Sequence, residues 1–393
     1  MEPITKRINS VDILRGAVMI IMALDHVREF FHVTAMTQDP LNLQTSTPLL
    51  FFTRWITHFC APIFVFLSGL SAGLVSKKKT RQDTARFLVK RGLWLIAVEL
   101  VVITFGLTFN PLYNILIFQV IWAIGLSMII LSLLLRISTK LILPFGLLLI
   151  FGHDLLNFLT TPSEGIGDAL LKIFFTAKGY FVPLTATRGL LFLYAVLPWT
   201  GIMLVGFSLS DWYSTLDFEK RRRYLLYTGS AVLLLFIIIR GINQYGDPSP
   251  WSIQKDSLRT VLSFVNVSKY PPSLDYTTLT IGTALIILSL TEGVKSRFGN
   301  FLSVYGKVPF FYYVPHFFII HGLVVIFFFL NGYAAKDIVP KNNPFLFRPD
   351  EFGFNIWIVY LIWMGVVLIL YKPCVWFAGY KQKNSEKWWI RYL

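Results

Sequence analysis

The chain has 393 residues, of which 55% are apolar and 15% charged, with a formal charge of +15. Soluble domains carry roughly 25% charged residues, so this composition excludes an ordinary soluble protein. It also argues against a nucleic-acid partner, because the Lys and Arg cluster in short loops between apolar runs, where they set membrane orientation. The two cysteines, Cys60 and Cys374, are far apart and suggest neither a disulfide framework nor a metal site.

Lys6 and Arg7 lead directly into an apolar stretch that carries Arg15, Asp25 and His26 and shows no small-residue cleavage site. A retained first helix over 12–32 is therefore expected, not a cleaved leader. Further apolar runs follow at 50–76, 93–109, 113–135, 141–158, 189–209, 224–240, 274–291, 309–331 and 354–372. Each is near the roughly 20 residues that cross a bilayer as a helix. Residues 167–182 and 251–268 read as amphipathic helices at the interface. The expected fold is an all-α polytopic membrane protein, a bundle of about ten transmembrane helices with short loops. Residues 1–393 form a single domain whose first partner is the lipid bilayer. The basic loops, 77–91 and 220–223 above all, place both termini in the cytoplasm.

Charged groups inside a bilayer are costly and usually face a cavity or one another. Arg15 and His26 are three helical turns apart, on nearly the same face and about 16 Å from each other. Asp25 is next to His26, and Glu29 lies one turn beyond. Arg54 and His58 share a face of the second span, and His58 is expected at the depth of His26. Tyr312 and His316 share a face of the ninth span, where Pro315 loosens the backbone. Arg28 and His32 are read as snorkelling to the interface. An Asp25–Arg28 ion pair and a merely packed His316 are the plainer readings of those residues. Cys60 is read as inert filler, and the stripe Ser68, Gly69, Ala72 and Gly73 as helix packing. No metal site is expected, since no two histidines have ligand spacing.

Four segments carry a resemblance: NSVDILRGAVMIIMALDHVREFF at 9–31, RWITHFCAPIFVFLSGLSAG at 54–73, KYPPSL at 269–274 and GKVPFFYYVPH at 306–316. Together they resemble the bacterial relatives of heparan-α-glucosaminide N-acetyltransferase, within a superfamily of transmembrane acyltransferases. The resemblance implies transfer of an acetyl or other acyl group from cytoplasmic acyl-CoA to an acceptor, usually a glycan, across a bacterial inner membrane. Acetyl-CoA would be a donor substrate, with no permanently bound cofactor. The related acyltransferase-3 branch has an Arg, ten residues and a His in its first helix, which Arg15 and His26 match. In the lysosomal heparan enzyme the catalytic His lies in the loop after helix one, but here loop 33–49 has no His. The resemblance therefore leaves His26 or His58 for that role.

Acyl transfer from a thioester needs a base for the acceptor and stabilisation of an oxyanion. A neutral imidazole supplies the first. His26 is the expected base, with Asp25 or Glu29 acting on its tautomer, and an acyl-histidine intermediate is the covalent alternative. Arg15 and the basic loop 77–91 suit the CoA phosphates. Arg54 and His58 suit the acceptor or the oxyanion, with Tyr312 and His316 beside the substrates and the loop at Lys269 and Tyr270 near the acceptor. The rival reading is a small-molecule or proton-coupled transporter, which also uses buried charges. The chain shows no inverted repeat to support it.

Overall fold

The computed structural model describes residues 8–158, 165–340, 343–384, 386–387 and 389–390, so Lys6 and Arg7 lie outside it. Helix α1 spans Asn9–Phe31. The expected second span is two helices, α2 (Pro48–Thr57) and α3 (Cys60–Ser76). Thr47 caps α2 by accepting from the Leu50 N–H, and Pro48 occupies its first turn, where a missing N–H costs nothing. The break has a covalent cause. Pro62 has no N–H to give to the His58 carbonyl one turn back. That carbonyl instead accepts a 2.6 Å hydrogen bond from the Tyr276 hydroxyl, as an apolar surround requires.

Helix α4 (Arg81–Val98) passes through a π-helical turn at Glu99–Ile103 into α5 (Thr104–Thr108). A short strand, β1 (Ile115–Phe118), then precedes α6 (Val120–Ile137), α7 (Ile142–Gly152) and α8 (Gly165–Leu171). Strands β2 (Tyr180–Pro183) and β3 (Gly189–Phe192) follow. The helices then continue as α9 (Val196–Thr215), α10 (Phe218–Ile242), α11 (Ser257–Val265) and α12 (Leu274–Thr291). The last three are α13 (Arg297–Lys307), α14 (Pro309–Leu330) and α15 (Ile356–Lys383). Side-chain caps from Thr80, Asp217, Asp256, Ser273, Ser296 and Asn355 fix six of these starts.

Two features depart from an all-helical bundle of ten spans. First, β3 pairs in parallel with β1 and antiparallel with β2, giving the order β1-β3-β2. The expected spans 113–135 and 189–209 thus begin as strands and become helical only at Val120 and Val196. Likewise, 167–182 is a short helix that ends in β2, not one amphipathic helix. Second, seven helical segments among the described residues are long and apolar enough to cross a membrane, fewer than the ten expected. The expected spans at 12–32, 93–109 and 189–209 are not among the seven. Helix α1 carries Asp12, Arg15, Asp25, Arg28 and Glu29, too much charge for a purely apolar crossing.

Packing follows the small residues. A Cβ on Gly69 would lie 2.0 Å from the Met203 carbonyl oxygen, and one on Gly206 would lie 2.1 Å from that of Phe66. Helices α3 and α9 therefore touch backbone to backbone, the role expected of the stripe in α3. Helix α13, which lies between the expected spans 274–291 and 309–331, packs on α1 in the same way. A Cβ on Gly16 would fall 1.8 Å from the Leu302 oxygen, and one on Gly306 1.8 Å from that of Asp12.

Candidate active site

Two cavities open side by side within the bundle. The first, of about 100 Å³, is walled by His26, Asp25 and Glu29 from α1, Arg54 from α2 and Tyr194 and Lys269 from the loops. The second, of about 210 Å³, is lined by Arg15, Arg91, Lys307 and Lys381 among apolar side chains of α4 and α6. None of its lining residues among those described is acidic. We call them the histidine cavity and the basic cavity.

The same helices wall both. Helix α1 gives Met22 and His26 to the histidine cavity and Arg15 to the basic one. Helix α3 lines the first with Cys60 and Ala61 and the second with Ser68, Ser71 and Val75, all on one face at helical spacing. Helix α6 passes from one to the other between Val120 and Ile121, and α14 between Tyr313 and Phe310. Phe64 lines both, the one described residue to do so.

In the histidine cavity the charges are cross-linked. Asp25 accepts from Arg54 at 2.7 Å on one carboxylate oxygen and from Arg28 at 3.1 Å on the other. Arg54 also donates to the Thr57 hydroxyl at 3.0 Å. His26 is mostly buried, its side chain 14% exposed, and its Nδ1 lies 3.7 Å from the Glu29 carboxylate. Behind it, the His316 ring lies 5.3 Å away, centroid to centroid, and the Phe317 ring 4.6 Å. His316 donates from Nδ1 to the Tyr313 carbonyl, the only polarity that a carbonyl partner allows, and Tyr312 stacks on its far face.

The opposite wall comes from the sheet. Strands β1 and β3 lie in register, Phe118 beside Phe192, and the Leu193 N–H donates to the Phe118 carbonyl at 3.0 Å. This pairing delivers Gln119 and Val120 from one strand end, and Leu193 and Tyr194 from the other, to the same cavity. Tyr194 and Tyr270 meet edge to face at 5.2 Å, and the Lys269 ammonium lies 5.0 Å from the Tyr270 ring centre. Burial raises the Tyr270 phenol, but the charges of Lys269 and Arg54 outweigh it and hold the group below the ordinary tyrosine value.

In the basic cavity Arg15 is tied to α1, α13 and α3. It approaches Asp12 at 3.4 Å and donates to the Gly306 carbonyl at 3.3 Å and to the Ser71 hydroxyl at 2.8 Å. The close approach of α1 and α13 makes the middle contact possible.

Of the residues singled out from the sequence, Asp25, His26 and Arg54 meet in one cavity, and Arg15 lines the adjoining one. His58 does not line either. It is 2% exposed and packs its ring against Tyr276 at 5.8 Å. It stands at the His58–Phe59 break between α2 and α3. Tyr312 and His316 are fully buried behind the wall, and Tyr313 is the residue of that helix that reaches the cavity. Cys60 is part of the wall, buried and unpaired by disulfide. Sequence reasoning missed Phe64, Gln119, Tyr194, Lys307 and Lys381, none of which carries a local signal of its position.

A family model for heparan-alpha-glucosaminide N-acetyltransferase, catalytic, matches residues 7–240. The chain belongs to this family. The match bears out the resemblance carried by the sequence motifs and makes the protein a membrane acetyltransferase. The matched segment contains Arg15, Asp25, His26, Arg54, Phe64 and Tyr194, while Lys269, Tyr270, Tyr313 and His316 lie beyond it. No curated protein is similar enough to match the chain.

Proposed function

We propose that the protein transfers an acetyl group from acetyl-CoA in the basic cavity to a hydroxyl or amine of a glycan in the histidine cavity, with His26 as the base. One observation carries this reading. A cavity with four cations and a cavity with a histidine are walled by the same helices, and Phe64 lines both. Arg15, Arg91, Lys307 and Lys381 would hold the donor phosphates, and the apolar residues of α4 and α6 its flexible arm. The basic segment 77–91, a turn followed by the first turns of α4, sits on the cytoplasmic side in this reading, and the glycan on the far side.

His26 Nδ1 turns to Glu29, which leaves Nε2 to take the proton of the acceptor. The acceptor oxygen or nitrogen attacks the thioester carbonyl, the C–S bond breaks, and the thiolate leaves with the proton that His26 releases. Arg54, held by Asp25 and Thr57, would stabilise the oxyanion. Tyr194, Tyr270 and Lys269 offer aromatic faces and a cation to a sugar. His58 then serves the helix break, not the chemistry.

The binding half of this reading is tested by thermal stability in detergent with CoA, acetyl-CoA or ATP. A ligand at one hundred times its dissociation constant adds about 2.7 kcal/mol. CoA and acetyl-CoA should raise the transition temperature more than ATP does, and Arg15→Ala with Lys307→Ala should weaken the effect. The absence of any CoA-dependent shift in a folded sample refutes the donor assignment.

A further inference from the structure

We propose that Phe64 is the residue that selects the acyl chain, admitting acetyl and refusing longer chains. The inference rests on the donor reading of the basic cavity. Along α3, the residues flanking Phe64 are closed off: Ile63 and Phe66 are 1% exposed, and Val65 and Leu67 fully buried. Phe64 is instead half-buried, with its side chain in both cavity walls. The backbone beneath it is regular, since its carbonyl accepts the Ser68 hydroxyl at 2.8 Å. The ring therefore stands on a fixed helix, at the level where α6 and α14 also pass from one cavity to the other.

A donor anchored by its phosphates beside Arg15 and Lys307 must present its thioester at this partition. The acyl carbon lies at the Phe64 ring when the acceptor, deprotonated by His26, forms the new bond and the thiol departs. The space beyond is small. The histidine cavity is about 100 Å³, less than the roughly 150 Å³ of a protein cavity that takes up one benzene. An acetyl group and the reacting edge of an acceptor fill such a space. Its walls set the Asp25, Arg54 and Lys269 charges among apolar side chains such as Met22, Val120 and Leu193, so a longer alkyl chain meets charge as well as apolar surface. A longer chain must displace the Phe64 ring or stay out.

Displacement of labelled CoA by acetyl-CoA, butyryl-CoA and hexanoyl-CoA tests this. In the wild-type protein each lengthening should weaken binding by roughly tenfold or more, the scale of a methylene in a closed pocket. In Phe64→Ala the three should bind alike. Phe64→Leu should fall between them and guards against a folding defect. The proposal fails if wild type takes hexanoyl-CoA as readily as acetyl-CoA, or if the order survives in a folded Phe64→Ala. If labelled CoA does not bind wild type at all, the donor reading fails first and this inference with it.

Discussion

At the scale of single residues, the pairing of Asp25 with two arginines decides how the histidine cavity holds its shape. Arg54 and Arg28 use one carboxylate oxygen each, so removing the carboxylate leaves two cations without their common partner. Breaking a buried ion pair costs about 3–5 kcal/mol. Both groups are about 15% exposed at the side chain, so Asp25→Asn should sit near or below the low end of that range, read as a lowered unfolding transition. An unchanged transition would mean that solvent already satisfies both arginines. Arg15 and His26 were legible in the sequence because one α-helix carries them both, and its period places them without tertiary information. The Tyr194–Tyr270 edge-to-face pair was not, because it joins residues far apart in the chain through loops. His58 was misplaced for a nearer reason: it stands at the break between α2 and α3, which an unbroken helical period does not show.

At the scale of elements, that break makes a specific prediction. The His58 carbonyl is satisfied by Tyr276 because Pro62 cannot satisfy it. Tyr276→Phe should therefore cost about 1–3 kcal/mol, the penalty of an orphaned buried acceptor. In a Pro62→Ala background the restored N–H can take the carbonyl, and the same Tyr276→Phe change should cost less. Equal costs in both backgrounds, measured as a double-mutant cycle, would exclude this account of the break. The sheet was hidden for a related reason. Strands of four residues embedded in long apolar runs, such as Ile115–Phe118 ahead of α6, carry no period that separates them from helix. Helix α13 has an amphipathic pattern, but its place against α1 depends on Gly16 and Gly306. Gly306→Val, whose side chain would meet the Asp12 backbone, should loosen this contact and weaken CoA binding through Arg15.

At the scale of the whole molecule, the sequence revealed a helical membrane protein and the family to which it belongs, and the structure shows how two cavities adjoin inside it. Charge in the helices blurs the count of spans. Helix α1 is excluded from the apolar set by the groups that build the site. The orientation proposed from the basic loops can be tested directly, because both native cysteines, Cys60 and Cys374, are buried. A Lys79→Cys variant should react with an impermeant thiol reagent in inverted vesicles and stay unlabelled in intact cells. Labelling of intact cells would reverse the assigned direction of transfer.

The most direct test of the account is thiol release from acetyl-CoA by the purified protein with an amino sugar as acceptor, compared between wild type and His26→Ala. Wild type should release CoA in step with acetylation of the sugar. His26→Ala should still bind acetyl-CoA yet lose about 10²–10⁴-fold in rate, the share that a positioned base supplies. Transfer by His26→Ala at the wild-type rate would contradict the account.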